Sequence, residues 1–232
     1  MVICKGKKDC LNYYVFDSRK SMGQQAADDI AKVMEKLLVE KDTINMIFAA
    51  APSQNEVLAA LTEKKLPWER VNAFHMDEYI GLHEDAPQRF GNFLKKAIFD
   101  KLPFRSVNYI LGNAHNIEAE CLRYGALLRD HPVDIVCLGI GENGHIAFND
   151  PWVADFHDPC MIKQVDLDPM CRNQQVNDGC FGACILHQVL DKGLRVYSTE
   201  ELKEMLAFAN AAFSEWRKLG LPALHGRCNF WL

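Results

Sequence analysis

Three short clusters in this chain carry side chains able to move protons or hold an anion. The first is His145, with Asn143 and Asp150 near it. It sits in the run Val133-Asp-Ile-Val-Cys-Leu-Gly-Ile-Gly-Glu-Asn-Gly-His-Ile-Ala-Phe-Asn-Asp-Pro151. Imidazole is the side chain best suited to exchange protons near neutral pH. The second is Asp77-Glu78, set among Phe74, Met76 and Tyr79. A carboxylate there is partly desolvated, which raises its pKa toward that of a useful general base. The third is Ser53-Gln54-Asn55, at a point where a strand ends and a helix begins. Free backbone N–H groups and the positive helix end favour an anion there, and a sugar phosphate or a carboxylate fits. Each cluster also has a plainer reading. The three are a tight turn with a surface histidine, a solvated loop acid, and a serine that caps its helix.

Taken together, Asp77 and His145 can remove a proton from carbon and move one between oxygens. Aldose–ketose isomerisation requires both operations. No serine or cysteine sits in a nucleophile elbow and no metal cluster is evident in the sequence. Acid–base chemistry therefore outranks covalent catalysis, and no cofactor is expected. Gly139-Ile-Gly-Glu-Asn-Gly144 also fits G-x-G-x-x-G. A dinucleotide fingerprint needs a long helix directly after the loop, and here only a few residues precede Pro151. Gly141 and Gly144 instead let the backbone turn sharply and approach a small ligand.

The elements that must position these groups follow from periodicity. Residues 21–38 read as a helix, with Met22, Ala26, Ile30, Val33 and Leu37 at steps of three and four. Residues 42–51 read as a strand, 55–64 as a helix, and 70–75 as a second strand. Residues 87–100 are predicted helical with proline in the first turn. A strand is expected at 107–111, a helix at 117–129, and a strand at 133–140. The last is apolar enough to be covered on both faces. This alternation predicts an α/β fold, a mostly parallel sheet flanked by helices. Right-handed crossovers bring the strand ends, and so the three clusters, to one edge.

The 232 residues divide into a core expected at 1–182 and an atypical, largely helical segment at 183–232. Within the latter, Ser198 and Glu201 form a capping box that predicts a helix over 199–219. Its apolar stripe of Leu202, Met205, Leu206, Ala209, Phe213 and Trp216 reads as core packing. The net charge of -5 argues against nonspecific binding to nucleic acid. No apolar run approaches the roughly 18 residues that span a bilayer. The amino terminus is too short and too charged beyond Ile3 for a signal peptide, so a cytoplasmic location is expected. Nine cysteines, an odd count, fit reduced thiols in that setting. Cys171, Cys180, Cys184 and His187 lack a paired C-x-x-C spacing, and scattered thiols read better than zinc.

Two motifs go further. Phe74-His-Met-Asp-Glu-Tyr-Ile-Gly81 and Leu138-Gly-Ile-Gly-Glu-Asn-Gly-His-Ile-Ala-Phe-Asn-Asp-Pro151 resemble the glucosamine-6-phosphate deaminase (isomerase) family. The resemblance extends through Gly112-Asn-Ala-His115 and Glu118-Ala-Glu-Cys121 and covers roughly residues 11–182. It implies a Rossmann-like fold and a phosphorylated amino sugar as the partner. It implies that His145 opens the sugar ring and that Asp77 moves the proton at the carbon bearing nitrogen. Ammonia leaves and a ketose phosphate remains. The catalytic set under this resemblance is Asp77, His145, Asn143 and Asp150. The substrate-binding set is Ser53, Gln54, Asn55, Gly141 and Gly144.

Departures from the family pattern are also legible. Asn143 stands where the deaminases usually have Asp, and an amide cannot be the anionic partner of His145. Asp150 stands where they have Glu. Residues 49–54 read Ala-Ala-Ala-Pro-Ser-Gln in place of Pro-Thr-Gly-Gly-Thr-Pro, with Ser53 retaining a hydroxyl. From about residue 183 the chain does not align, and Arg172, Lys192 and Arg195 are left without roles. Two alternatives stay open: a lactonase on a phosphorylated sugar acid, and a non-catalytic sugar-phosphate-binding homologue. A homo-oligomer is compatible with the sequence; nucleic acid and membrane partners are not expected.

Overall fold

The computed structural model describes residues 1–8, 11–141, 143–155, 157–169, 172–173, 176, 192–196 and 229–230. An amino-terminal hairpin pairs β1 (Val2–Lys8) with β2 (Leu11–Phe16) in antiparallel fashion. Helix α1 (Arg19–Glu40) follows, started by Ser18, whose side chain accepts from the Ser21 N–H. The alternation then proceeds through β3 (Ile44–Phe48), α2 (Asn55–Thr62), β4 (Val71–His75) and β5 (Asp77–Tyr79). Next come α3 (Phe90–Leu94), β6 (Ser106–Asn108), α4 (Ile117–Asp130) and β7 (Ile135–Gly139). Among the described residues, β8 (Ile162–Asp166), β9 (Lys192–Val196) and β10 (Asn229–Phe230) complete the list.

The main sheet runs in the order β10-β7-β3-β4-β6. The four strands from β7 to β6 are parallel, and β10 adds antiparallel to the β7 edge. A single alternation explains why β3, β4 and β7 are largely apolar, with Asn45, Asn72 and His75 the polar exceptions. Ile44, Met46 and Phe48 of β3, Val71 and Ala73 of β4, and Ile135 and Cys137 of β7 point to one face. They pack there on Ala27, Ile30 and Met34 of α1 and Val57, Leu58 and Leu61 of α2. The residues between them, Ile47, Phe74, Val136 and Leu138, point to the other face and meet Tyr124 and Leu128 of α4. A strand buried on both faces is hydrophobic at most consecutive positions, not only at every second one. Truncating Phe48 to alanine would cost about 3–5 kcal/mol for this reason.

From β3 the chain moves outward to β4 and β6, then crosses back through α4 to place β7 on the far side of β3. That reversal makes the crevice beyond the ends of β3 and β7 the expected ligand position in an open α/β sheet. A second, antiparallel sheet, β5-β9-β8, lies past the end of β4.

Several boundaries differ from the sequence reading. The helix predicted at 87–100 begins at Phe90, so Pro87 lies outside it. Its second half, Lys95–Phe99, widens into a π-helix in which the Asp100 N–H reaches the Lys95 carbonyl at 3.0 Å. The strand predicted at 107–111 is Ser106–Asn108, and the one at 42–51 shortens to Ile44–Phe48. Asp77 and Glu78 are not loop acids; they lie within β5. The hairpin of β1 and β2, and strand β8, carry no alternation strong enough to be read in advance. The helix predicted at 199–219 and the four residues Cys171, Cys180, Cys184 and His187 lie outside the described residues.

Candidate active site

The three clusters follow the carboxyl ends of β3, β4 and β7 in the main sheet. After β3, residues Pro52–Gln54 make one tight helical turn and α2 begins at Asn55. Arg19 straps this turn from α1. Its Nη2 donates to the Pro52 carbonyl at 2.8 Å, and its guanidinium grips Glu56 through both carboxylate oxygens. The helix cap falls on Gln54, so Ser53 is not the cap. Gln54 is fully buried and its Nε2 donates to Ser53 Oγ at 3.2 Å, whereas Asn55 is exposed. The turn abuts β7 closely. A side chain at Gly139 would lie 3.2 Å from Ser53 Oγ and 3.1 Å from Gln54 Nε2.

Beyond β7 the chain folds into a compact loop. The Gly141 N–H reaches the His145 carbonyl and the Gly144 N–H reaches the Gly141 carbonyl, both at 2.9 Å. Gly144 takes a φ of 88°, and Ala147 sits in the same left-handed region at 51°. The imidazole of His145 lies over Gly141 so closely that any Cβ there would come within 2.1 Å of the ring. The turns that follow lead straight to Pro151, so the helix a dinucleotide site needs is absent from this loop.

Around His145 the polar groups of the loop contact one another. Its Nδ1 is 2.6 Å from Asn143 Oδ1 and 3.3 Å from Asp150 Oδ1. The imidazole therefore does have an anionic partner, and it is Asp150, not the residue at 143. Asp150 is fully buried. Although burial pushes its carboxyl up, hydrogen bonds from His145, Asn143 and the Asp168 N–H outweigh that and hold it below the usual carboxylate range.

Across the edge, β5 carries the opposite arrangement. Burial pushes the Asp77 carboxyl well above its usual range, and the adjacent Glu78 charge adds to the shift. Glu78 is different. Its carboxylate accepts the N–H groups of Tyr79, Phe90 and Gly91 at 2.9 to 3.0 Å and pairs with Arg89 at 3.7 Å. It thus anchors the start of α3, although burial still leaves its pKa raised. The sequence offered two adjacent acids; the packing separates an anchor from a carboxyl that receives no hydrogen bond from the described residues.

His75, at the end of β4, holds Asp77 from behind. The Ile110 N–H donates to its Nε2 at 2.9 Å, so Nδ1 carries the proton and donates to the Asp77 carbonyl at 2.9 Å. Complete burial lowers its pKa to about 4 and keeps it neutral. Tyr124 brackets the same residue, its hydroxyl donating to the His75 carbonyl at 3.0 Å and accepting the His75 N–H at 3.1 Å. Gly112 closes the support, since a Cβ there would fall 2.0 Å from the Tyr79 carbonyl. Sequence reasoning missed His75; an ionisable residue ending an apolar strand was the signal.

Phe148 joins the two halves. Its ring lies 5.2 Å from that of Tyr79 and 5.7 Å from that of Phe90. On the other face, Ile146 and Ala147 share a buried cluster with Met76. The His145 loop and the Asp77 strand are therefore packed against each other through both faces of the sheet edge. Strand β9 supports the junction: Gly193 lies under Phe148, and Arg195 stands opposite Asp77 in register. The buried guanidinium of Arg195 is directed at Asp158 (3.1 Å) and the Val153 carbonyl (3.2 Å). Among the described residues no group of three or more metal-ligating side chains converges. Cys4, Cys121, Cys137 and Cys160 are free thiols, and burial pushes Cys137 up to about 12.

Residues 17–148 match the family model of glucosamine-6-phosphate isomerases/6-phosphogluconolactonase. The chain belongs to this family. Curated relatives include glucosamine-6-phosphate deaminases of Bacillus cereus (strain B4264) and Bacillus anthracis (strain CDC 684 / NRRL 3495). Each is 33% identical over 142 residues, which is 61% of this chain. The chain matches only 54% of their length. Among solved structures, a monomeric glucosamine-6-phosphate deaminase superposes with a TM-score of 0.67 at 27% identity. It covers 78% of this chain and 73% of the other. The 6-phosphogluconolactonase of Thermotoga maritima gives 0.60 at 22% identity, covering 78% and 74%, a likeness of fold. Among the described residues no helix is long and apolar enough to cross a membrane.

Proposed function

We propose that this protein isomerises and deaminates an amino-sugar 6-phosphate, giving a ketose phosphate and ammonia. One observation carries the reading: two buried carboxyl groups at one sheet edge have environments that push their protonation in opposite directions. Asp77 is raised by burial, whereas Asp150 is lowered and paired with an imidazole. Opposed environments for neighbouring titratable groups mark a division of acid and base roles. The names of the relatives at 33% identity support the same reading.

In this scheme His145 Nε2 takes the proton of the anomeric hydroxyl and returns one to the ring oxygen, opening the pyranose. Asp150 stabilises the imidazolium formed on the way. Asp77 removes the proton on the carbon bearing nitrogen and delivers it to the neighbouring carbonyl carbon, while a proton of the ammonium group passes to that carbonyl's oxygen, so that the nitrogen is left as an imine. Addition of one water and loss of ammonia then leave the ketose. The loop of Ser53 and Gln54 with the start of α2 receives the phosphate. Gly141 and Gly144 let the backbone come close to the sugar. The test is direct assay of ammonia and ketose phosphate from glucosamine 6-phosphate and galactosamine 6-phosphate. Folded protein that turns over neither rejects the proposal.

Hydrolysis of 6-phosphogluconolactone is the second reading, favoured by the fold likeness to the lactonases. It gives the carbon-directed carboxyl of Asp77 nothing to do, and assay of that lactone separates the two.

A further inference from the structure

The hydrogen bonds around Asn143 admit one orientation of its amide. Its Oδ1 accepts from the His145 backbone N–H at 3.1 Å and lies 2.6 Å from His145 Nδ1. Its Nδ2 donates to Asp150 Oδ1 and to Asp168 Oδ2, both at 2.9 Å. Turned over, the amide would set its NH₂ against a backbone N–H and its oxygen against two carboxylates. With the oxygen facing the ring, Nδ1 must be the protonated nitrogen, and Nε2 is left as the proton acceptor.

Asp168 is built into this set from both sides. It is buried directly after β8, its N–H donates to Asp150 Oδ2 at 3.1 Å, and its carbonyl accepts the Arg172 N–H at 2.9 Å. Its backbone is therefore held on each side, and its carboxylate presents an acceptor to the second amide hydrogen of Asn143. We propose that Asp168 is a positioning residue: by taking that hydrogen it holds the Asn143 oxygen toward His145 and keeps the imidazole in its Nδ1–H tautomer. The structural content stands on these contacts; its catalytic meaning rests on the sugar-phosphate reading above. An asparagine between two carboxylates is thereby a matched element of the site. A carboxylate at 143 would have no hydrogen to give to either neighbour.

The test is ring nitrogen NMR of His145 in ¹⁵N-histidine-labelled, ligand-free protein at pH 8, assigned by loss of the signals in His145→Gln. The wild type should show the Nδ1–H tautomer. Asp168→Ala should populate the Nε2–H form. Asp168→Asn retains an acceptor oxygen and should restore the wild-type pattern. The kcat for glucosamine 6-phosphate should fall about tenfold in Asp168→Ala with KM little changed, and recover in Asp168→Asn. If the alanine variant does not fold, Asp168→Ser, too short to reach Asn143, takes its place. A wild type protonated on Nε2, or a tautomer unmoved by removal of the acceptor at 168, overturns the inference. Wild type without turnover but with the expected tautomer pattern sinks the activity reading and leaves this one standing.

Discussion

Asp77 and Asp150 are the same side chain in two kinds of burial. Both are removed from solvent at the same sheet edge, yet their protonation is driven apart. The difference lies in what surrounds the oxygens. Asp150 is met by the amide of Asn143, the ring of His145 and the N–H of Asp168. Asp77 is met by burial and the charge of Glu78. Glu78 makes the intermediate case, with three backbone donors and a distant arginine that only partly offset its burial. Desolvation disfavours a carboxylate wherever it occurs, and the donors decide whether the group remains ionised. A site that keeps one carboxyl deprived and another satisfied has the means to hold a reactive base beside a stable counter-ion.

The sharpest test applies one substitution to both. Asp77→Asn should lower turnover by about 10²–10⁴-fold, the usual worth of a general base. It should also raise the melting temperature at pH 7. The sign follows from linkage: a carboxyl whose folded pKa is raised costs stability increasingly as pH climbs above 3.8, and the amide removes that cost. Asp150→Asn should do the reverse to stability, lowering it by about 1–3 kcal/mol at pH 7. Its carboxylate contributes above pH 3.8, and that contribution fades as pH falls through the lowered folded pKa. Thermal melts of both variants between pH 3 and pH 8 decide the matter; shifts of the same sign would dissolve the contrast.

The support behind Asp77 should be acid-sensitive. His75 is folded neutral with a pKa of about 4 against 6.5 in the unfolded chain. Stability should therefore be full above pH 6.5 and be lost as pH falls toward 4, by roughly 3 kcal/mol at about 1.4 kcal/mol per unit. Denaturant melts of His75→Asn should lack that slope. On the other side of the site, Gly141→Ala drives a Cβ into the His145 ring. We expect kcat to fall about 10²-fold with little loss of stability, because the ring can swing outward. The smallest effect is expected from Asn143→Asp. It brings a third carboxylate against Asp150 and Asp168 and should cost about 1 kcal/mol at pH 7. That deficit should shrink on acidification in urea melts as one of the three takes up a proton.

Much of this fold could be read from the chain because strands buried on both faces announce themselves. Residues 46–48, 73–74 and 135–138 are apolar at consecutive positions, and helices with spacing of three and four intervene. The hairpin of β1 and β2 was missed because its residues are largely exposed and do not alternate. Pro87 misplaced the start of α3, because the carboxylate that caps Phe90 and Gly91 comes from Glu78, 12 and 13 residues earlier.

Local sequence by itself determined where the central strands run, though not their exact ends, and which loops can turn tightly, since glycine content and periodicity are properties of a few neighbouring positions. His145 and Asp77 could be nominated on that basis. Only the tertiary structure decided that Asp77 and not Glu78 is the deprived carboxyl, and that Asp150 and not residue 143 is the anion beside the imidazole. It also recruited His75 and Asp168. Ionisation depends on every donor and charge within a few ångströms, and those groups arrive from strands and loops far apart in the chain.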